Sequence, residues 1–379
     1  MTKRTYLMGI FFAFITFVVY FFVSARPIPP ETALVPRWLR SLESDYSFYF
    51  TGVTGMETGG ESADQPPPQT AGETRDESLL FHLGDRFGYV GKDGVLFSTG
   101  RTGKAHIAAG AGFWTVWEDG ADTIEIRNEQ GAEEVHIPGT AGWPFFVDGR
   151  FFLIGEELDY LSSLDRSGAA EWTYDFAAPL TDLDAAAGLV LAGFLDGAVE
   201  ILDQAGKRIF RFEPGGSRFS VIYRCRISRD GSRIAIISGY DDQRFLLLEK
   251  SGNTWKVVYH EFLSGGFRRA VHLAFVDEGR RVVFEREGGI GIYDIAARKL
   301  HRLDLDGRLY ALEEYGGEAI LFAITSQSET RRKLVGISYP SSIILEAPFR
   351  SESAFLGREE ERLYLGGGKV LAAFSLERR

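Results

Sequence analysis

Five arginines form the most specific candidate for chemistry in this sequence. Arg218, Arg224, Arg226, Arg268 and Arg269 lie in or beside two segments that are predicted to be the innermost strands of neighbouring repeat units. Guanidinium groups bind carboxylates and phosphates through paired N–H donors, so this cluster predicts a site for an anion or for an acidic partner. The competing interpretation is that the five side chains pair with nearby structural acids or stay solvated.

Other reactive residue types lack the spacing that catalysis or metal binding needs. The chain has one cysteine, Cys225, so an intrachain disulfide, a Cys-based metal site and a paired-thiol redox site are excluded, and we predict that this thiol is buried in a strand. The six histidines are scattered without metal-ligand spacing. They are His82, His106, His136, His260, His272 and His301. We therefore assign no catalytic residue, no metal site and no cofactor.

Glycine-rich segments of the chain are predicted to be hairpin turns. The segment from Gly288 to Gly291 and the segment from Gly366 to Gly368 each lie between two strand patterns with no helix after them, which argues against phosphate-binding loops. Asp-Gly pairs recur at 93–94, 119–120, 196–197 and 230–231. Asp and Gly favour tight turns, so these carboxylates are not assigned as general acids.

The elements that would position these residues form a repeat. Aromatic residues make up 13% of the chain, with 30 Phe and 44 Gly, a mixture that favours short strands and tight turns. A strand, an Asp- or Gly-containing turn and a second strand recur at about the spacing of propeller blades. The units start at Phe87, Phe113, Phe151, Leu189, Ile234, Val282, Ile320 and Leu363. This predicts an all-β propeller of eight four-stranded blades; because the first unit is short and lacks room for a strand, seven blades is the alternative.

Two families of propellers share these motifs. Leu164-Asp-Arg-Ser-Gly and Leu202-Asp-Gln-Ala-Gly-Lys resemble the pyrroloquinoline-quinone-type repeat of quinoprotein-like propellers, and Ile227-Ser-Arg-Asp-Gly with Tyr293-Asp294 resembles WD-repeat proteins. Quinoprotein dehydrogenases need a tryptophan under the cofactor, a calcium held by Glu, Asn and Asp, and often adjacent cysteines, and this chain matches no such set. The resemblance implies the scaffold without the cofactor, as in the non-catalytic assembly propellers of bacterial envelopes.

The N-terminus predicts a membrane anchor. Residues 6–23 carry no charge and are long enough to span hydrocarbon as a helix, while Lys3 and Arg4 keep the N-terminus cytoplasmic. We predict one transmembrane helix over residues 1–25, which places the protein in the cytoplasmic (inner) membrane as a single-pass protein with an extracytoplasmic, periplasmic propeller. The alternative is a secreted protein cleaved near Ala25.

The segment between the anchor and the repeats divides into three parts. Residues 26–45 are Pro-rich and predict a stalk, and residues 46–53 are aromatic-rich and predict a strand that closes the ring. Residues 54–78 have almost nothing to bury and predict a disordered linker. The propeller is then predicted over residues 79–379.

Charge restricts the partners. The net charge of −11 argues against nucleic acid, yet residues 79–207 carry −13 and residues 208–302 carry +7. We predict a non-catalytic scaffold that binds a cell-envelope protein. A metal-dependent hydrolase or lactonase-type propeller and a small-anion sensor remain alternatives, and stoichiometric calcium or zinc in the purified protein would favour the enzyme. The sequence leaves the oligomeric state open.

Overall fold

The computed structural model describes residues 32–43, 47–49, 78–110, 112–138, 142–263, 265–316 and 319–378. Within these ranges the regular secondary structure is β-strand, and no helix is long and apolar enough to cross a membrane. The anchor predicted over residues 1–25 lies outside them. Contacts group Val35–Ser375 into one compact unit, while the described residues 32–34 and 376–378 belong to a smaller unit.

The strands of the described residues form eight antiparallel sheets, here called blades. Two strands precede blade 1 in sequence, and blades 1 to 4 follow in chain order. Their bounds are β1 Thr32–Ser41 and β2 Ser47–Tyr49; in blade 1, β3 Ser78–Leu83, β4 Arg86–Gly91 and β5 Leu96–Arg101; in blade 2, β6 His106–Gly110, β7 Phe113–Trp117, β8 Thr123–Asn128 and β9 Glu133–Pro138; in blade 3, β10 Gly142–Val147, β11 Arg150–Gly155, β12 Tyr160–Leu164 and β13 Ala170–Asp175; and in blade 4, β14 Leu180–Ala186, β15 Leu189–Phe194, β16 Val199–Leu202 and β17 Arg208–Phe212.

Blades 5 to 8 continue the same pattern, with strands in sequence order from the first to the fourth position. Their bounds are, in blade 5, β18 Ile222–Ile227, β19 Arg233–Ser238, β20 Arg244–Ser251 and β21 Thr254–Phe262; in blade 6, β22 Leu273–Val276, β23 Arg281–Arg286, β24 Gly289–Asp294 and β25 Lys299–Asp304; in blade 7, β26 Arg308–Tyr315, β27 Ile320–Ser326, β28 Arg331–Ser338 and β29 Ser342–Arg350; and in blade 8, β30 Ala354–Glu359, β31 Arg362–Gly367 and β32 Val370–Arg378.

Burial follows strand position within a blade. The second strand lies between neighbouring blades on both faces, so β19 presents a continuous buried run from Ile234 to Ser238 rather than an alternation. The fourth strand of the preceding blade, β17, has no buried residue. The turns are built by aspartate: Asp203 Oδ1 accepts hydrogen bonds from the backbone N–H of Ala205 and Lys207 at 3.0 and 2.9 Å. Turn chemistry also explains three of the Asp-Gly pairs: an Oδ1 of Asp93, Asp196 and Asp230 accepts from the backbone N–H two residues later, each at 3.0 Å.

Apolar clusters join each blade to the next. Between blades 4 and 5, Leu191 and Ile201 pack against Ile234 and Leu248, and all four are fully buried. Side chains of this size each contribute about 1.5–3 kcal/mol on burial. Equivalent clusters join blades 2 to 3, 3 to 4, 5 to 6, 6 to 7 and 8 to 1. Blades 1 and 2 meet through Phe87 and Trp114, and blades 7 and 8 through Tyr315 and Glu361. The contacts close a ring, which confirms the eight-bladed β-propeller and excludes seven blades.

The ring is closed by β1, which pairs with β32 and takes the fourth position of blade 8. Arg37 Nε donates to Ser375 Oγ at 2.6 Å, and Leu42 N donates to Lys369 O at 2.8 Å. The prediction of a stalk over residues 26–45 is corrected, because Thr32–Ser41 is a strand of the last blade.

The predicted closing strand over residues 46–53 is also corrected. Its described part, Ser47–Tyr49, pairs with Trp38, Leu39 and Arg40 of β1 as a fifth strand outside the closing position. The linker predicted over residues 54–78 lies outside the described residues except for Ser78, which begins β3.

A contact between fourth strands and turns recurs around the ring. The indole of Trp172, on β13 of blade 3, lies on Gly206 in the turn between the third and fourth strands of blade 4, where an added Cβ would meet the ring at 2.5 Å. The indole of Trp38, on β1 of blade 8, lies in the same way on Gly94 of blade 1, at 2.9 Å. Both indole N–H groups donate to a backbone carbonyl of the turn that they cover. The close approach requires glycine at both positions, which also have positive φ.

This contact fixes the positions of the three described strands of blade 1. Gly94 lies between β4 and β5, and Ser98 of β5 approaches Gly131 in the corresponding turn of blade 2, with an added Cβ at 3.2 Å from Ser98 Oγ. Hence β3, β4 and β5 occupy the second, third and fourth positions. The repeat that starts at Phe87 is therefore a third-to-fourth hairpin, whereas the later repeats start on second strands, which explains the short first spacing.

Candidate functional site on the upper face

The two faces of the ring carry different connections. Because the chain runs antiparallel through four strands, each complete blade begins and ends at the same face, here called the upper face. It carries the turn between the second and third strands and the connection from one blade to the next. All five arginines singled out in the sequence lie in or beside the first strands and connections of blades 5 and 6: Arg218, Arg268 and Arg269 lie in connections on this face, and Arg224 and Arg226 lie along β18.

Asp182 on β14 binds two of the five arginines. Its Oδ1 accepts a hydrogen bond from Arg224 Nη1 at 3.1 Å, and its Oδ2 accepts one from Arg226 Nη1 at 2.8 Å. The Asp182 side chain is 8% exposed, while the two arginine side chains are 30% and 23% exposed. Removing one member of such a buried ion pair is costly, so these two arginines have a structural role.

The same acid and its neighbour Asp184 also satisfy the backbone of the adjacent blade. Asp182 Oδ2 accepts a hydrogen bond from Cys225 N at 2.7 Å, and Asp184 Oδ2 accepts one from Ile227 N at 2.9 Å. These donors lie on the edge of β18 that no strand pairs within the described residues. Burial raises the pKa of Asp184, and the charge of Arg226 opposes that rise. The two aspartates therefore clamp the first strands of blades 4 and 5 together.

Arg269 is paired in a similar way inside blade 6. Its Nη1 and Nη2 donate to the carboxylate of Glu285 at 3.0 and 2.5 Å, and the Glu285 side chain is 2% exposed. Glu285 also accepts a hydrogen bond from His272 N at 3.2 Å. Burial lowers the pKa of the His272 imidazole; Glu285 opposes this, and Arg224, Arg269 and Arg308 reinforce it. Three of the five arginines are thus bound to buried carboxylates.

The other two arginines, Arg218 and Arg268, meet at an exposed aromatic pair. Phe219 and Tyr240 are 54% and 43% exposed and pack edge to face with their ring centroids 6.3 Å apart. The guanidinium carbon of Arg218 lies 4.6 Å from the Phe219 centroid, and that of Arg268 lies 3.4 Å from the Tyr240 centroid. Among the described residues, neither guanidinium forms an ion pair with a carboxylate.

An apolar groove lies between these rings. Its volume is about 470 Å³, and it is lined by Leu195, Phe219, Ser220, Val221, Tyr223 and Tyr240. Leu195 comes from the second turn of blade 4 and is 54% exposed. At the rim, Ser217 Oγ donates to Asp241, and this hydrogen bond lowers the pKa of the Asp241 carboxyl to about 2. Exposed apolar surface of this kind makes the groove a candidate docking surface.

Arginine–aromatic pairs continue around the upper face. Arg244 lies 5.8 Å from the ring of Phe262, which is 54% exposed, and Arg332 lies 4.0 Å from the ring of Tyr310, which is 41% exposed. We refer to the four pairs together as the arginine–aromatic face. Its members are Arg218 with Phe219, Arg268 with Tyr240, Arg244 with Phe262, and Arg332 with Tyr310.

Metal-ligating residues are dispersed. Over the ranges that the structure describes, no three His, Cys, Asp or Glu side chains are grouped so as to hold a metal ion. Cys225 is fully buried on β18, as predicted, and burial raises the pKa of its thiol well above the usual value. This thiol is therefore held in its neutral form inside the core.

A partly buried acid, Glu313, lies between the first strands of blades 7 and 8, with its side chain 32% exposed. Burial raises the pKa of Glu313 to about 7, although the Arg358 guanidinium, 3.9 Å away, opposes the rise. The neighbouring charge of Glu314 adds to it. A carboxyl in this setting holds its proton in the folded chain at pH values where the unfolded chain has released it.

Stability is therefore expected to depend on pH at this seam. The pKa of Glu313 in the folded chain lies above its ordinary value of 4.5. The contribution of this carboxyl to the free energy of unfolding is therefore complete below about pH 4.5. It is lost as the pH rises through about 7, which lowers the free energy of unfolding by about 1–3 kcal/mol. Glu313→Gln should flatten this fall and make the variant more stable than the unchanged chain at pH 8. Urea midpoints between pH 5 and 8.5 measure it, with the exposed Glu157→Gln as control. Parallel profiles for the two variants would contradict the assignment.

Comparison with known proteins identifies similar folds. A family model described as "beta-propeller protein" matches residues 1–378. A protein of Treponema pallidum (strain Nichols), described as uncharacterised, is 26% identical over 375 residues, which covers 99% of this chain and 94% of that protein.

Solved structures of diverse function share the architecture. BamB from Moraxella catarrhalis is similar with a TM-score of 0.54 and 13% identity over 80% of this chain and 99% of its own. The computationally designed Ika8 protein gives a TM-score of 0.58 at 13% identity, over 80% and 97% of the two chains. Dihydro-heme d1 dehydrogenase NirN gives 0.52 at 13% identity, over 68% and 59%. At these identities the likeness concerns the fold alone, so function must be argued from the surface.

Proposed function

This chain belongs to the β-propeller family, and we propose that it acts as a non-catalytic, membrane-anchored extracytoplasmic scaffold that docks a cell-envelope protein. The observation that carries the proposal is the apolar groove on the upper face, between Leu195, Phe219 and Tyr240. Large aromatic side chains beside arginines are the residue types that dominate the energy of protein–protein interfaces.

The chemistry of the groove supports binding rather than turnover. Its lining consists of apolar and aromatic side chains, with Ser220 as the only hydroxyl besides the two tyrosines. The nearest carboxylate described here, Asp241, is held by Ser217 and has its pKa lowered to about 2, far from the range in which a general acid or base works. A partner's side chain can enter such a groove, but the groove offers no group suited to transfer a proton.

The rigidity of the ring supports a scaffold role. Leu195 belongs to blade 4, Tyr240 belongs to blade 5, and Phe219 lies on the connection between them. Blades 4 and 5 are locked by a buried apolar cluster and by the two aspartates on β14. A groove whose walls are fixed in advance binds a partner without the entropy cost of ordering its own loops.

The membrane component of the proposal rests on the sequence. The uncharged segment of residues 6–23 and the flanking Lys3 and Arg4 would tether the ring close to the membrane surface. Tethering raises the local concentration of the scaffold relative to a membrane-bound partner, so a modest intrinsic affinity would suffice for docking.

Docking is tested in the full chain by replacing the two exposed aromatic side chains of the groove. Chemical crosslinking in the native membrane should give a complex with the partner. Combining Phe219→Ser with Tyr240→Ser should lower the yield of this complex by about tenfold or more, because two anchor residues are removed. Both side chains are about half exposed, so the thermal midpoint of the double variant should change little.

The matched control alters equally exposed residues elsewhere on blade 5. Val257 and Val258, on the outermost strand β21, are 42% and 50% exposed and lie away from the groove. Val257→Ser with Val258→Ser should leave the crosslinked complex intact. Equal loss in both double variants, or no loss in either, would show that the upper face is not the docking surface.

A further inference from the structure

Two arginines of the arginine–aromatic face, Arg218 and Arg268, are held in a state that suits an acidic ligand. Stacking on a ring leaves the in-plane N–H groups of a guanidinium available, because the contact uses only its flat face. Arg218 and Arg268 stack on Phe219 and Tyr240, and no carboxylate among the described residues pairs with either. Arg268 Nη1 donates to Tyr240 O, which leaves the Nε and Nη2 groups of Arg268 for a ligand. Their positive charges therefore remain uncompensated beside the groove.

The contrast with the neighbouring arginines shows that this state is selective. Arg224, Arg226 and Arg269 are all bound by carboxylates that are at most 8% exposed. Residues 208–302, which include blades 5 and 6, nevertheless keep a net charge of +7 in a chain of −11. Buried acids thus bind these three arginines, whereas Arg218 and Arg268, exposed on the upper face, pair with no described carboxylate.

From this charge complementarity we infer that the docked element is an acidic protein segment with one apolar side chain, which enters the groove of Leu195, Phe219 and Tyr240 while flanking Asp or Glu residues bind Arg218 and Arg268. The inference rests on the proposed docking function and names the chemistry of the partner. Arginine pairs with carboxylates in a fixed, bidentate geometry, so the two guanidinium groups would set the register of the segment as well as its charge.

The rim of the groove at Asp241 disfavours acidic residues of a partner. The Asp241 carboxylate at the rim accepts from Ser217 Oγ, and Phe219 N lies 3.5 Å from its Oδ1. Its charge would repel a second carboxylate at that point. The segment is therefore expected to carry its acids towards Arg218 and Arg268 and a neutral or basic residue towards Asp241, which gives it one direction in the groove.

A photo-crosslinker placed in the groove tests the inference in the full chain in its own membrane. Leu195 is replaced by p-benzoylphenylalanine, which leaves both arginine–aromatic pairs in place, and the captured peptide is sequenced by mass spectrometry. We expect a protein segment with an excess of Asp and Glu. Arg218→Glu combined with Arg268→Glu should lower the yield by about tenfold or more, and Arg218→Gln combined with Arg268→Gln should lower it less. Raising salt from 0.1 to 1 M should also lower it.

The outcomes separate this inference from the docking proposal. A second position, Asn253, in an exposed turn on the opposite face of blade 5, carries the same crosslinker as a control. Capture of a protein only at Asn253, or at neither position, would overturn docking at the upper face. Three results at Leu195 would contradict the acidic partner without contradicting docking. They are capture of a neutral or basic segment, capture of lipid, and a crosslinking yield that does not change on charge reversal.

Discussion

Replacing Trp38 by alanine is expected to lower the free energy of unfolding by about 3–5 kcal/mol, because it leaves a cavity where the last blade meets the first. Trp38 is 3% exposed, its ring lies 5.8 Å from that of Tyr364, and its Nε1 donates to Lys92 O at 3.0 Å. The substitution removes the only buried side chain of β1 and one of the two side-chain hydrogen bonds to that carbonyl, which also accepts from Arg362 Nη1. Urea unfolding of the full chain, followed by circular dichroism, measures the loss.

Trp172→Ala is the matched control for this prediction. Trp172 makes the same contact, with its Nε1 donating to Gln204 O at 2.9 Å and its ring over Gly206, but it joins blades 3 and 4, which are consecutive in sequence. It is also only partly buried, so a smaller loss is expected. If Trp38→Ala cost no more than Trp172→Ala, the closing role of β1 would be wrong.

Charge reversal is expected to divide the five arginines into two classes. Arg224→Glu would place a carboxylate against Asp182, and Arg269→Glu would place one against Glu285, whose side chains are 8% and 2% exposed. Arg269→Glu leaves the buried Glu285 without its ion pair, and Arg224→Glu leaves Asp182 with Arg226 alone; both add repulsion, so a loss of about 3–5 kcal/mol or more is expected. High salt should restore little of it, since buried pairs are poorly screened.

The opposite result is expected for the arginines of the groove. Arg218→Glu and Arg268→Glu alter exposed side chains that pair with no described carboxylate, so the unfolding free energy should change by about 0.5 kcal/mol or less. Thermal midpoints of the four single variants, measured side by side, make the comparison. Four similar midpoints would remove the distinction between structural arginines and arginines available to a partner.

Local patterns predicted most of the fold. Each hairpin shows its strands and an Asp- or Gly-containing turn within a short stretch, so eight repeats could be recognised without knowledge of their packing. The closing strand was missed because a fourth strand needs few buried residues. Only Trp38 is fully buried in β1, and the strand contains Pro36, which lies beyond the residues that pair with β2. Residues 46–53 resemble a strand more closely but supply only a short outer one.

The site was less predictable because its partners come from distant positions. The sequence located the arginines, yet Asp182 lies 42 residues from Arg224, and nothing local indicates that they meet. Phe219 and Tyr240 resemble ordinary strand aromatics; only their positions in connections between strands pointed to exposure. Pairing and exposure depend on how blades stack, which alternation and spacing do not encode.

Ring closure through β1 has a consequence for biosynthesis. β1 precedes every other described strand in sequence, and β32, to which it pairs, follows every other one; Arg37 and Ser375 are 338 positions apart. The hairpins of the intervening blades are local and can form as they emerge, whereas this last pairing carries the loop-closure entropy of the whole ring. We expect the nascent chain to expose the edge of β1 that pairs with β32, which is prone to aggregation, until β32 has been made.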